Sequence, residues 1–231
     1  MNHVNNRDVG DPQQAKKGFT LVELLLVMTI IAVLLSVASV GINNIGKGQG
    51  LTAGLSLGEG MLTQARNLAI NQNTTARVII HSDMNDGIPE ERERYRRMMM
   101  VVYKDTDTET GEEESGNDWI RVGQPVLLPS KVYFSPELSF ADMRNGGLLP
   151  TDRHQLSSQP SDTHQCVYYE FNGQGICSTP GAGFVLENGP RPMNRERPIM
   201  GAAKSVGGFV VMRNGSTSMI RDINRIAVQT N

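Results

Sequence analysis

The chain has 231 residues, 39% of them hydrophobic and 5% aromatic, with 24 glycines and a formal net charge of -2. That length holds one domain of ordinary size plus an anchoring segment. The near-neutral balance excludes a broad basic field that would draw the chain to nucleic acid, and abundant glycine with few aromatics favours short strands and turns over a large helical core.

Residues 1–18 are polar, with Gly10-Asp11-Pro12 set against helix, and they end in Lys16-Lys17-Gly18. An apolar run, residues 19–42, follows from Phe19 to Ile42 and carries one charge, Glu23. As a helix rising about 1.5 Å per residue it spans about 36 Å, enough to cross a bilayer core of about 30 Å. Lys16 and Lys17 precede it and the next lysine is Lys47, so the positive-inside rule places the leader in the cytoplasm and the bulk of the chain outside. An isolated carboxylate at the mouth of such a helix is costly and needs a partner or a purpose. An ordinary secretory signal peptide cut after Ala38 would account for the lysines and the apolar run. It would account for neither Glu23 nor Gly18.

The patch Asn43–Gly50 is glycine-rich and reads as a weak or melted helical turn. Leu51, Leu55, Met61, Leu62, Ala65, Leu68 and Ala69 then recur at three- and four-residue steps, which predicts an amphipathic helix ending near Asn71-Gln72-Asn73. The organisation expected is a leader at 1–18, a transmembrane helix at 19–42, its amphipathic continuation at 43–73 and a β-rich domain at 74–231. Within that domain residues 76–81 and 98–103 read as a strand pair, separated by a solvated charged excursion at 83–97. Further strands are expected at 119–122, 132–135, 167–171, 183–186, 208–213 and 216–221, with Asn214-Gly215 as a two-residue hairpin turn. The acidic stretch 105–118 and residues 141–165 and 188–204 read as loops.

Enzyme motifs do not survive their context. Gly54-Leu55-Ser56-Leu57-Gly58 matches a nucleophile elbow, but it falls inside a helical segment instead of between a strand and a helix. His3, His81, His154 and His164 are scattered with no acid or nucleophile at a diagnostic spacing. Asp105, Asp107 and Glu109 alternate like a calcium loop, yet Gly111 falls one place late. Cys166 and Cys177 flank a strand and a turn as though across a hairpin, so a disulfide is expected if the domain lies in an oxidising compartment. A zinc site in which His164 joins the two cysteines lacks a fourth ligand. No catalytic residue, metal or cofactor is expected.

The junction Lys16-Lys17-Gly18-Phe19-Thr20-Leu21-Val22-Glu23-Leu24-Leu25 resembles the processing and assembly signal of type IV prepilins and type II secretion pseudopilins. The resemblance implies cleavage between Gly18 and Phe19 by a membrane-embedded prepilin peptidase and methylation of the new Phe19 amine. It also implies that Glu23 pairs with the amine of a neighbouring subunit during assembly. The helix end Ala65–Asn73, then Phe171–Gly175, Phe184–Leu186 and Val210–Gly215, look like the body of H-type minor pseudopilins and FimT-like minor pilins. The segments 83–97 and 141–165 depart from that pattern. The implied fold is α+β, a long N-terminal helix packed on a β-rich, pilin-like sandwich. The implied function is that of a minor pseudopilin, not an enzyme, in a type II secretion-like filament. Its expected partners are the major and other minor pseudopilins. The protein is expected in the bacterial inner membrane as a single-pass protein with a periplasmic domain. The alternative that the resemblance leaves is a FimT-like pilin binding DNA through Arg213, Arg221 and Arg225, with Arg191, Arg195 and Arg197 in the preceding loop. The net acidic body makes nucleic acid the lesser expectation.

Overall fold

The computed structural model describes residues 21–105, 119–142, 145–159, 161–199 and 206–220, and for residues 34–48 the backbone alone. The chain divides into two units, Met1–Asn44 and Ile45–Asn231. Helix α1 is assigned over Leu21–Gln72, including the glycine-rich patch at 43–50 that reads in sequence as a melted turn. Its apolar content predisposes both flanks to helix, and isolated glycines cost only about 1 kcal/mol each in a helix interior.

In the second unit, α1 buries Leu51, Gly54, Leu55, Gly58, Met61, Leu62, Ala65 and Ala69. These positions fall at three- and four-residue steps and therefore share one face. The glycines bring the helix backbone onto the strands. A Cβ on Gly54 would meet Leu186 at 2.9 Å and Val132 at 3.1 Å, and one on Gly58 would meet the Phe184 ring at 2.7 Å. Ser56, between them, is exposed. The apparent nucleophile elbow is thus a close-packing stripe. The helix ends in a Schellman arrangement: Thr74 N–H donates to Ala69 C=O and Asn73 N–H to Ile70 C=O. Asn73 sits at φ 48°, the left-handed conformation such a cap requires.

Among the described residues nine strands follow: β1 (Ala76–His81), β2 (Met98–Lys104), β3 (Trp119–Leu127), β4 (Val132–Phe134), β5 (Thr151–Gln155), β6 (Thr163–Phe171), β7 (Ala182–Asn188), β8 (Val206–Val211) and β9 (Thr217–Met219). Their pairings are antiparallel. They form a five-stranded sheet of order β3-β2-β1-β6-β5 and a four-stranded sheet of order β4-β7-β8-β9. One core joins the helix stripe to the inner residues of both sheets, among them Val78, Ile80, Met99, Val101, Tyr169, Phe171, Phe184, Leu186 and Phe209. Phe184 links these parts, stacked on Phe209 at 4.7 Å and tilted against Phe134 and Tyr169. The α+β class expected from sequence is the observed one, a long helix packed on a β-rich sandwich.

Three local readings change. The excursion after β1 is not simply solvated. It contains a short helix, α2 (Pro89–Arg94), and buries Asp86, Glu91, Tyr95 and Arg96. The stretch 141–165 holds β5 and the start of β6. The β8–β9 hairpin is wider than a two-residue turn. Gly215 N–H donates to Met212 C=O and Met212 N–H to Ser216 C=O, with Gly215 at φ 76°. This is the three-residue connection in which a glycine takes the left-handed position.

Candidate functional site

Gly18 and Phe19 lie outside the described residues. Glu23 stands in the first turn of α1, within residues 21–33, all of which are exposed. Leu21 is 83% exposed and Val22 77%. Acidic residues gain at a helix N-terminus, where unpaired N–H groups point outward. A row of exposed leucine, isoleucine and valine in water is unfavourable by about 25 cal/mol per Å² of apolar surface. The segment therefore calls for an apolar surrounding. Among the described residues, no helix is long and apolar enough to cross a membrane; of the expected span at 19–42, side chains are described only for 21–33.

Among the described residues of the second unit, three polar constellations bear on function. In the first, the Arg77 guanidinium lies between the Trp119 and Tyr168 rings, at 4.0 and 3.9 Å from their centroids. It also donates to Glu170 and Asp152, each at 2.7 Å. Register places it there: Arg77 pairs with Glu170 across β1 and β6. His154, on the neighbouring β5, has its pKa lowered to about 4, chiefly by burial and then by the Arg77 charge, which outweigh Asp152.

In the second constellation, Arg191 grips Asp86 in a bidentate pair, Nη2 to Oδ1 at 2.6 Å and Nη1 to Oδ2 at 3.1 Å. Both side chains are almost fully enclosed, at 2% and 3% exposure. The pair, with the Asn194 backbone N–H donating to Asp86, ties the loop after β7 to the excursion after β1. The Arg191 hydrogen bond is the largest influence holding the Asp86 carboxyl below its ordinary range, against the opposing effect of burial. Nearby, Arg197 bonds to the buried Glu187.

The third gathers residues far apart in sequence. His81 at the end of β1, Glu91 in α2 and His164 near the start of β6 each offer one ligand atom, all within 4.8 Å of one another. His164 Nε2 also lies 2.9 Å from Asp162 Oδ1, and Arg94 Nη1 lies 3.2 Å from Glu91 Oε1. Beside this group opens a cleft of about 670 Å³ lined by Arg94, Trp119, Arg121, Gln155 and Leu156, among others. Sequence reasoning missed the cluster because no spacing in the chain signals it. Only the pairing of β1 with β6, and the return of α2 over the sheet, bring the three together.

Two other groups singled out in the sequence are redistributed. Cys166 and Cys177 are both buried free thiols, so the expected disulfide is not formed. Cys177 bridges Phe171 and shares its side of the sheet, in the core with the helix. Cys166, an odd number of residues from Phe171 on the same strand, faces the opposite side beside Ile79 and Met100. Burial pushes the Cys166 thiol up to about 12. Of the arginines considered for DNA, Arg191 and Arg197 are engaged with Asp86 and Glu187. Arg213 is exposed in the β8–β9 connection, while Arg221 and Arg225 lie outside the described residues. Asp107 and Glu109 of the calcium-like stretch lie outside them too.

A family model described as the prokaryotic N-terminal methylation motif matches residues 13–39. No curated protein matches the chain. Among solved structures, the minor pseudopilin EpsH from the type 2 secretion system of Vibrio cholerae is similar at 8% identity and a TM-score of 0.36. That likeness covers 74% of this chain and 95% of the other. The matched motif takes in Gly18, Phe19 and Glu23, the three positions at which the sequence resembles a processing and assembly signal. Residues 13–39 are therefore a prepilin-type N-terminal methylation segment.

Proposed function

We propose that this protein is a minor pseudopilin, anchored in the inner membrane by residues 19–42 and assembled into a type II secretion-like periplasmic filament. The observation that carries the reading is the methylation motif at 13–39, running into a helix whose described apolar residues 21–33 are exposed. In this reading a prepilin peptidase cuts after Gly18, leaving Phe19 as a methylated amine. Glu23 then sits one helical turn from the new terminus, and in lipid its carboxylate meets the Phe19 amine of a neighbouring subunit. Two charges that are each costly in the bilayer compensate one another. The inserts around α2 and β5 enlarge the domain and suit a low-copy subunit better than a tightly stacked repeating one. The engagement of Arg191 and Arg197 with acidic partners removes two of the cations a DNA-binding reading would use.

The test is copurification of membrane-inserted chain with other pilin-type subunits of its host. Glu23→Ala is expected to be processed normally yet to lose that association. Association at the wild-type level would end the assembly role given to Glu23.

A further inference from the structure

His81, Glu91 and His164 present the donor chemistry of a divalent transition-metal site. His81 is wholly buried, and neither of its ring nitrogens makes a hydrogen bond of good geometry, although the Arg94 backbone makes a looser polar contact with the ring. The Glu91 side chain is about nine-tenths buried, and its Oε2 is likewise without a hydrogen-bond partner. A buried carboxylate oxygen and a buried imidazole left unsatisfied each carry a desolvation penalty, so their convergence on one point requires an account.

The geometry is close to that of a bound ion. Ligand bonds of about 2.0–2.1 Å in a tetrahedral site set ligand atoms about 3.3 Å apart. Here Glu91 Oε2 lies 3.4 Å from His81 Nε2 and 3.7 Å from His164 Nε2. The edge between the two imidazoles, at most 4.8 Å, closes by a small rotation of His164, whose side chain is 19% exposed. We propose that His81 Nε2, Glu91 Oε2 and His164 Nε2 form a structural zinc-class site that fastens α2 to β1 and β6. Asp162 Oδ1, now 2.9 Å from His164 Nε2, is placed to turn into the fourth position. Asp83, 3.7 Å from His164 Nδ1, stands where an outer carboxylate orients a metal-bound imidazole. Arg94 is the opposing charge. It contacts Glu91 through Oε1, which leaves Oε2 free to face the ion.

The experiment is titration of the purified, chelator-stripped full-length chain with Zn²⁺ alone, in competition with a chromogenic zinc indicator. Thermal unfolding and the visible spectrum of the Co²⁺-loaded chain are recorded in parallel. A single saturable equivalent is expected, with a raised unfolding midpoint and the intense absorption of four-coordinate Co²⁺. His164→Gln and the near-isosteric Glu91→Gln are each expected to weaken binding by more than about tenfold. Circular dichroism checks that each variant is folded, and Glu91→Gln decides the matter if His164→Gln is not. The proposal is overturned by absence of saturable binding, or by affinity unchanged in the folded variants, which would place the ion on other acidic groups of the chain.

Discussion

Asp86 and Arg191 show how single side chains fix a long insert to the domain. Both are enclosed, so removing one partner strands the other's charge, which costs about 3–5 kcal/mol. Arg191→Met should lower the stability of the unit by that order in chemical denaturation, and adding Asp86→Asn should restore part of it. Because the Asp86 carboxyl titrates below its ordinary value of 3.8, the unfolded chain binds more protons than the folded one as pH drops. The pair's stabilisation is therefore complete above that ordinary value and is lost as pH falls through the lower folded one. The denaturation midpoint of the wild type should drop in that range, and the Asp86→Asn, Arg191→Met chain should show less of the drop. The cysteines make a second residue-scale prediction. Both are buried free thiols, with burial raising the pKa of each. A thiol reagent should label neither in the folded domain and both after unfolding. Labelling that stays absent in denaturant until a reductant is added would mean a disulfide, against this structure.

At the scale of elements, the contact of α1 with the four-stranded sheet depends on two glycines. A methyl at Gly58 would collide with Phe184, whose ring is held by Phe209, Phe134 and Tyr169 and has little room to yield. Gly58→Ala should cost about 1–3 kcal/mol despite the better helix propensity of alanine. Gly60, exposed and with nothing within 4 Å of an added Cβ, gives the control: Gly60→Ala should stabilise by about 0.5–1 kcal/mol. Thermal melts of the two variants should therefore move in opposite directions. Leucines and alanines at helical spacing made this stripe legible in the sequence; β1, β2 and β8 showed in their apolar runs, and β9 was marked by the Asn214-Gly215 turn before it. The packing role of Gly54 and Gly58 did not show, because a glycine inside a helical segment adds no apolar side chain to the pattern; the low helix propensity of glycine suggested a melted turn only for the patch 43–50. The elements missed, α2 and β5, are rich in charge and short of apolar residues. Their order comes from ion pairs such as Arg77–Asp152 and Arg94–Asp162, which connect residues that no local pattern relates.

Across the whole molecule, the chain joins two kinds of sequence that obey different constraints. Residues 13–39 match a short linear motif, so they stand out plainly in the sequence. The unit Ile45–Asn231 carries its meaning in a sandwich whose polar clusters assemble only after β1, β6 and α2 have met. The cluster of His81, Glu91 and His164 is the clearest case: each histidine is unremarkable in sequence, and only strand pairing makes them neighbours. The proposed membrane anchor, processing step and assembly role of Glu23 all rest on the first of these two parts. Mass spectrometry of the mature N-terminus from the native host tests them most directly. A chain beginning at Phe19 and carrying one added methyl group is the predicted result. A chain beginning at Ser39 would mean export behind an ordinary signal peptide and would contradict the pseudopilin account.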